Sequence, residues 1–314
     1  MELRRFGGTE LKLSPLGLGT WQFSNNVGIG ARFWKDLSYE KMKEIVQFSL
    51  DQGINWLDTA EAYGNGTSEK NIGKILSELE PKPYLADKWW PFMRSAKSIG
   101  QTIDQRLELL QINQISLHQI HHPTSFSSIE KQMDQMCQLI QKNKIQYVGV
   151  SNFSANQMKK AEKYLRNAGA QLVSNQVRYN LIDRRIEDNG VLALAKELNV
   201  AIIAYSPLHQ GLLTGKYHDN PQQLKQLFWL KKFQYGLTEK NLKKTQLLVD
   251  HLVELGQKHQ KTPAQIALNW LINVQGETIF AIPGASSLGQ VKQNVAATNF
   301  RLSQSEISSL SGFK

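Results

Sequence analysis

The protein has 314 residues, a net charge of +10 and one cysteine, Cys137, and this composition excludes several classes of protein. No apolar run reaches the roughly 18 residues of a membrane span, and the N-terminus lacks the apolar core of a secretory signal. The single cysteine excludes an internal disulfide and indicates a reducing, cytoplasmic compartment. The basic charge is spread along the chain without a recognised nucleic-acid-binding motif. We therefore expect a single domain, residues 1–314, with no nucleic-acid or membrane partner.

The chain begins with a predicted hairpin that turns at GGTE and then alternates short apolar strands with amphipathic helices. The predicted strands are 15–20, 54–60, 84–89, 115–121, 145–152, 172–179, 201–207 and 277–284. The predicted helices are 38–52, 68–79, 99–110, 127–142, 155–167, 188–198, 242–259 and 263–272, with Ser38 and Ser68 as N-caps of the first two.

Alternating strands and helices of this number predict an α/β fold, a (β/α)8 TIM barrel with a short N-terminal β-hairpin. The alternative is a doubly wound sheet, which usually has a glycine-rich G-x-G-x-x-G turn after its first strand. GLGTWQ (17–22) resembles that turn only superficially, because no helix begins there. The barrel is therefore the favoured fold.

One segment, 208–241, interrupts the alternation of strands and helices. Long connections of this kind are often functional lids. The aromatic residues of the segment favour packing against another part of the molecule. Two interpretations are equally open: a lid over a ligand, or a helix-containing excursion packed on the barrel rim.

Four residues at the carboxyl ends of successive strands indicate a catalytic site: Asp58, Tyr63, Lys88 and His121. The carboxyl ends of barrel strands carry the active site. A lysine ammonium stabilises a phenolate and lowers the pKa of tyrosine, an aspartate holds that lysine, and a histidine orients a substrate oxygen. Each residue alone has a structural explanation, as a cap, a core residue, a surface lysine or a buried hydrogen-bonding histidine. Their joint occurrence predicts proton donation to a carbonyl oxygen.

Several ordered motifs resemble those of the aldo-keto reductases over nearly the whole chain. These motifs are DTAEAYGNGTSE (58–69), QIHHP (119–123), GVSNF (149–153), NQVRYN (175–180), AYSPLHQGLLTGKY (204–217) and IPGASSLGQVKQN (282–294). The resemblance implies a nicotinamide cofactor bound in extended form by the barrel. It also implies that Tyr63 is the acid, that Lys88 and Asp58 tune it, and that His121 helps to orient the carbonyl.

The resemblance also implies which residues bind the cofactor. Ser151, Asn152 and Gln176 are expected at the nicotinamide carboxamide, and Tyr205 is expected to stack on the nicotinamide ring. The other implied cofactor residues are Thr20, Trp21, Ser206, Pro207, Leu208, Gln210, Gly211, Lys216, Ile282, Pro283, Gly284, Ser286, Gln290, Gln293 and Asn294.

The preference between NADPH and NADH depends on the last motif. Relatives that prefer NADPH often carry an arginine or lysine there for the 2′-phosphate. This chain has Ser286, Ser287 and Gln290, with only Lys292 nearby, and so forgoes a strong charge-assisted contact. NADPH remains the expected cofactor, with NADH as the alternative.

The substrate is expected to be a small carbonyl compound, an aldehyde or a ketone, in a pocket with aromatic walls. Candidate wall residues follow the strand ends, although some of them would equally suit the core. They are Trp21, Phe23, Trp34, Trp89, Trp90 and His122. No metal site is expected at His121 and His122, because successive residues of a strand face opposite sides.

Two other functions remain open alternatives. Some relatives of aldo-keto reductases are nicotinamide-sensing subunits of ion channels, which retain the four catalytic residues with slow turnover. A barrel of other chemistry, such as a phosphate-binding isomerase, is also compatible with the fold alone, but the ordered motifs do not suit it. Carbonyl reduction is the leading hypothesis.

Overall fold

The computed structural model describes residues 1–25, 27–28 and 33–313, and its chain starts with the predicted hairpin. Strand β1 (Arg4–Arg5) pairs antiparallel with β2 (Lys12–Leu13). Phe6, in the connection, is fully buried, with its ring 5.0 Å from that of Phe280. The hairpin therefore closes one end of the molecule by packing against its interior.

Eight parallel strands follow and form one sheet in chain order. They are β3 (Leu18–Gly19), β4 (Trp56–Asp58), β5 (Tyr84–Trp89), β6 (Ile115–Ile120), β7 (Ile145–Ser151), β8 (Leu172–Arg178), β9 (Ala201–Tyr205) and β10 (Ile279–Ala281). Two parallel bridges, Leu16 to Ala281 and Gly19 to Gly284, join the first strand region to the last. The sheet is thereby closed, and the predicted (β/α)8 barrel with its hairpin is confirmed.

Helices connect the strands and surround the sheet. They are α1 (Tyr39–Asp51), α2 (Thr67–Leu76), α3 (Lys97–Leu110), α4 (Ile129–Gln141), α5 (Ala155–Asn167), α6 (Val191–Glu197), α7 (Lys216–Asp219), α8 (Trp229–Tyr235), α9 (Glu239–His259), α10 (Pro263–Asn273), α11 (Leu288–Ala296) and α12 (Gln304–Ser311). Within the described ranges, none of the helices has the length and apolar character needed to cross a membrane.

Alternation along each strand divides the core into two layers. On β9, Ile203 belongs to the cluster inside the barrel, whereas Ile202 and Ala204 pack outward against the helices. On β5, Ala86 lies in the inner cluster and Trp89 in the outer one. The same period of two directs the next inward residue of β5, Lys88, into the barrel.

The structure corrects one predicted cap. Helix α2 begins at Thr67 and its N-cap is Gly66, in the left-handed conformation with φ 91°. Ser68 is instead fully buried, and its hydroxyl donates to the carbonyl of Thr20 over 3.0 Å and lies 3.0 Å from the hydroxyl of Thr59. Ser68 therefore ties the ends of two neighbouring strands together.

The segment 208–241 combines the two interpretations left open by the sequence. It contains the helices α7 and α8, and its buried side chains form a separate apolar cluster with Phe33. It also contributes Leu230, Lys231, Gln234 and Tyr235 to the wall of the large cavity described below. The segment is thus a helical excursion that covers part of that cavity.

Candidate active site

A cavity of about 760 Å³ lies at the carboxyl ends of the barrel strands. The last residues of β4, β7 and β8, which are Asp58, Ser151 and Arg178, line this cavity. The loops that follow the strands provide most of its other walls, including Tyr63 and His121. Barrel enzymes carry out their chemistry at this face of the fold.

Lys88, behind the cavity wall, and Asp58, on it, form a buried ion pair. The ammonium Nζ of Lys88 donates to Oδ1 of Asp58 over 2.6 Å and to the carbonyl of Thr59 over 2.7 Å. Burial alone would lower the pKa of Lys88, but Asp58 and Tyr63 raise it above its usual value. The ammonium therefore stays charged at neutral pH.

Tyr63 stands between this ion pair and the cavity. Its phenolic oxygen accepts a hydrogen bond from Lys88 Nζ over 3.3 Å. Burial raises the pKa of Tyr63 to about 12, and Lys88 offsets only part of that increase. Lys88 thus acts in the expected direction, but the expected net lowering of the phenol pKa is wrong because burial outweighs it. The phenol keeps its proton at neutral pH and is available as a donor.

His121 completes the group as a neutral imidazole. Its ring meets those of Tyr63 and Trp90 edge-on, with centroid distances of 5.8 Å and 5.1 Å. Burial, with help from the nearby Lys88 and His122, lowers the pKa of His121 well below its usual value. A neutral ring beside the phenol offers one N–H donor and one acceptor, which suits the orientation of a carbonyl oxygen.

Side-chain amides at the ends of β7 and β8 form a connected polar network. Gln176 Nε2 donates to Oδ2 of Asp58 over 2.7 Å. Asn152 Nδ2 donates to the hydroxyl of Ser151 over 3.0 Å, and the Tyr205 hydroxyl donates to Asn152 Oδ1 over 3.0 Å. Because these bonds fix the amides, they can recognise a planar polar group such as a carboxamide.

The loop after β9 has an unusual backbone. Ser206 and Gln210 adopt left-handed conformations with φ of 52° and 56°, and Gly211 follows with φ 92°. At φ 92° a residue with a side chain would be strained, so this position favours glycine, and a Cβ there would stand 2.6 Å from Cε of the flexible Lys216 side chain. Strained backbone of this kind concentrates at functional sites, and left-handed turns can direct successive N–H groups at an anion.

The far end of the cavity is formed by the turn before α11. The backbone N–H and the hydroxyl of Ser286 both donate to Oε1 of Gln290, over 2.7 Å and 3.0 Å. Ser287 caps α11 by accepting from Gln290 N–H. Lys292 is directed elsewhere, with its ammonium 5.5 Å from the ring centre of Phe48. The groups that reach this end of the cavity from the turn are neutral.

Aromatic side chains form the opposite wall, next to Tyr63. The indole of Trp21 stacks on the Tyr63 ring with centroids 5.8 Å apart, and Trp34 meets Trp21 edge-on at 6.1 Å. Trp90 and His122 also line the cavity. This wall is mostly apolar, which favours small organic ligands.

The cavity brings together the residues that the sequence singled out, with few exceptions. Of the four expected catalytic residues, Lys88 alone is not on the cavity wall and lies directly behind Tyr63. All of the expected cofactor residues line the wall: Thr20, Trp21, Ser151, Asn152, Gln176, Tyr205, Ser206, Pro207, Leu208, Gln210, Gly211, Lys216, Ile282, Pro283, Gly284, Ser286, Gln290, Gln293 and Asn294.

Two expected wall residues lie elsewhere. Trp89 is 1% exposed and packs in the outer core, where its indole N–H donates to the hydroxyl of Ser98 over 3.1 Å. Phe23 is fully buried in the same layer. Period-two alternation accounts for Trp89, since its neighbour Lys88 faces inward. Trp89 is therefore not a substrate contact in this structure.

The polar wall residues that sequence reasoning missed include Arg178, Lys231 and Tyr235. The guanidinium of Arg178 lies 4.7 Å from the ring centre of Tyr235 and 5.7 Å from that of Tyr205. Arg178 ends β8, so its place at the strand end was a usable signal. Lys231 and Tyr235 belong to α8, and no strand pattern points to them.

Comparisons with known proteins agree with this geometry. The model of the aldo/keto reductase family matches residues 15–314. The chain is 30% identical to the chloroplastic pyridoxal reductase of Arabidopsis thaliana over 94% of its own length and 82% of that protein. It is 36% identical to an uncharacterised oxidoreductase of Mycobacterium tuberculosis, covering 93% of this chain and 86% of the relative.

A solved structure shares the whole architecture. The glycerol dehydrogenase of Gluconobacter oxydans superposes with a TM-score of 0.82 at 27% identity, covering 99% of this chain and 94% of the other. Family model, relatives and fold thus agree over nearly the full chain. The protein belongs to the aldo/keto reductase family and is an NAD(P)H-dependent oxidoreductase that acts on small carbonyl compounds.

Proposed function

We propose that the protein reduces an aldehyde or ketone to an alcohol with NADPH, and that Tyr63 donates the proton. The observation that carries this proposal is the chain of contacts from Asp58 through Lys88 to the Tyr63 hydroxyl, 2.6 Å and 3.3 Å long, which ends at the cavity wall. When bound, the nicotinamide supplies the hydride from its C4 atom.

The residues of the site then handle the substrate oxygen. His121, neutral and beside the phenol, orients the carbonyl oxygen toward Tyr63. As negative charge develops on that oxygen, Tyr63 transfers its proton to it. The Lys88 ammonium, held by Asp58, stabilises the phenolate that remains. General acid catalysis of this kind contributes about 10²- to 10⁴-fold in rate.

The cavity suits a nicotinamide dinucleotide along its whole length. Ser151, Asn152 and Gln176 are assigned to the carboxamide, because hydrogen bonds fix them beside Asp58, with the Ser151 hydroxyl donating to the Gln176 backbone carbonyl. Tyr205 is assigned to the nicotinamide ring, since its hydroxyl is anchored on Asn152. The left-handed backbone at 206–211 is assigned to the pyrophosphate.

The adenosine end is assigned to the turn before α11. The donors of Ser286, which are held on Gln290 Oε1, would have to turn to the 2′-phosphate to bind it through neutral hydrogen bonds, and the N-terminus of α11 adds its favourable dipole. These contacts favour NADPH over NADH only modestly. Trp21, Trp90 and His122 are assigned to the substrate side of the cavity. The lone cysteine, buried in α4, suits the cytoplasmic location that we propose.

Tyr63→Phe tests the proposal, because it removes the acid and keeps the ring that stacks on Trp21. We expect NADPH to quench the tryptophan fluorescence of the variant with nearly the affinity of the wild type, while aldehyde-dependent NADPH oxidation falls at least about 10²-fold. Near-normal turnover in the variant would exclude Tyr63 as the donor. Absence of cofactor binding in the wild type would contradict the reductase function itself.

A further inference from the structure

The cavity wall is positively charged beyond what its one carboxylate can balance. Three cationic side chains, Arg178, Lys216 and Lys231, line the cavity in the described part of the chain. Asp58 is the only carboxylate on the described wall, and it is already paired with Lys88. The wall therefore favours ligands that carry several negative charges.

Lys231 is held in a specific position within this wall. Its side chain is only 5% exposed, its ammonium lies 3.7 Å from the ring centre of Trp34, and Nζ donates to the carbonyl of Phe33 over 3.1 Å. None of the ion pairs found among the described residues includes Lys231.

Such a burial is electrostatically costly without an anion. An ammonium has three N–H donors, and one carbonyl and one aromatic face do not replace the water that Lys231 has lost. Burial, together with the nearby ammonium of Lys216, lowers the pKa of Lys231 to about 8. A bound anion would offset the cost of burying this charge. The position of Lys231 is therefore that of the cationic partner in an ion pair with a ligand.

The position of Lys231 favours the substrate side of the cavity. Phe33 and Trp34, which Lys231 contacts, both pack against Trp21, at 5.4 Å and 6.1 Å between ring centres. Trp21 in turn stacks on Tyr63, the proposed acid. Adjacent aromatic rings thus connect Tyr63 with the ammonium of Lys231 along one wall of the cavity.

The cofactor phosphates have another cation of their own. Lys216 lies against Gly211, within the left-handed loop assigned to the pyrophosphate. Lys216 lies in the loop region that follows β9, whereas Lys231 reaches the cavity from α8. Lys231 lies near Lys216, but its contacts with Phe33 and Trp34 join it to the aromatic wall beside Tyr63. It is therefore available to an anion that enters with the substrate.

We propose that Lys231 is a specificity-determining residue that binds a carboxylate or phosphate carried by the aldehyde substrate, at the end remote from the carbonyl. This assignment rests on the proposed reductase function. The substrate class is accordingly that of anionic aldehydes with an extended shape. A phosphate of the cofactor is the other source of the same chemistry, and the experiment below separates the two.

The experiment compares charged aldehydes with neutral ones of matched size. A homologous series of ω-oxocarboxylic acids, from succinic semialdehyde upward, is assayed beside the corresponding methyl esters with wild type, Lys231→Met and Lys231→Arg. Lys225→Met is the control, because Lys225 is exposed in the same segment and is not part of the described cavity wall. NADPH affinity and thermal stability are measured for each variant.

We expect Lys231→Met to lower kcat/KM for the best acid about ten- to a hundredfold, the value of a charge-assisted hydrogen bond, with the ester and the NADPH affinity unchanged. Lys231→Arg should restore much of the preference, and Lys225→Met should match the wild type. Equal losses for acid and ester together with weaker NADPH binding would place Lys231 at a cofactor phosphate and overturn the proposal, as would no change at all. Ester turnover that depends on Tyr63 shows in either case that the reductase function stands.

Discussion

Gln176 donates from its amide Nε2 to Oδ2 of Asp58 over 2.7 Å, although 118 positions separate the two residues in the chain. The other carboxylate oxygen, Oδ1, accepts from Lys88. One buried side chain therefore connects the group assigned to proton transfer with the amide assigned to the nicotinamide carboxamide. We therefore expect substitutions of Asp58 to affect both proton transfer and cofactor binding.

Asp58→Asn tests this connection. The variant leaves the Lys88 ammonium buried without its counter-charge, so the pKa of Lys88 falls and support for the phenolate is lost. We expect kcat to fall about 10²-fold, with weaker NADPH binding and a lower melting temperature. Gln176→Met is the matched comparison: it should weaken NADPH binding with a much smaller loss of kcat. Equal effects of the two variants on kcat would contradict the separate roles.

The rate of carbonyl reduction should depend little on pH near neutrality. Burial raises the pKa of Tyr63 to about 12, so the phenol stays protonated well above neutral pH. Burial also keeps His121 neutral by lowering its pKa well below the usual value. We expect kcat for a neutral aldehyde to stay within about twofold from about pH 6 to about pH 9. A loss of activity centred near pH 7 would show that another group controls the reaction.

Cofactor preference should respond to charge at position 290. In the wild type, Gln290 Oε1 is occupied by both donors of Ser286, and Lys292 lies over Phe48. Gln290→Arg would supply a charge-assisted contact at the end of the cavity that we assign to the 2′-phosphate. We expect NADPH to bind about tenfold more tightly with NADH affinity unchanged, measured by tryptophan fluorescence. An equal gain for both cofactors would place the new charge away from the 2′-phosphate.

Glu69 should make the stability of the fold depend on pH. It is fully buried at the start of α2, 3.2 Å from Arg106, and burial, with the repulsion of Asp87, raises its pKa from 4.5 to about 9. Between pH 4.5 and about 9, Glu69 of the folded protein keeps a proton that the unfolded chain has released. The stabilisation that comes from this bound proton is therefore complete below pH 4.5. The free energy of unfolding decreases as the pH rises from 4.5 toward 9.

Glu69→Gln removes this dependence, because the amide does not titrate. We expect the melting temperature of the variant to exceed that of the wild type by more at the alkaline end of the window than at the acidic end. The limit is about 1.4 kcal/mol per pH unit for one proton. Glu108→Gln, an exposed change on α3, is the control. A temperature difference that is the same at both ends would contradict the raised pKa.

The elements predicted best from the sequence are those whose ends are set by capping residues next to them in the chain. The bounds of α5 match because Ser154 and Gln157 form a capping box that is visible in the sequence. The cap of α2 was wrong because the hydroxyl of Ser68 serves tertiary contacts with Thr20 and Thr59 instead. The proposed catalytic residues lie at or just after strand ends, so their assembly at one face could be predicted from strand order.

Lys231 could not be predicted in the same way. Its ammonium contacts Phe33, which lies 198 positions away, and no pattern in the sequence predicts where α8 packs relative to the strands. Only the packing of segment 208–241 on the barrel rim decides which of its lysines are buried. The sequence of the segment alone gives no means of distinguishing Lys231 from Lys225.

The closure of the barrel has a consequence for the assembly of the site. The bridge from Gly19 to Gly284 joins regions near the two ends of the chain, and both glycines line the cavity. Closing a loop between residues so far apart in the chain is entropically unfavourable. The binding pocket is therefore complete only when the bridge between the first strand and the last is formed. A cofactor that contacts both sides of this bridge would stabilise the closed barrel.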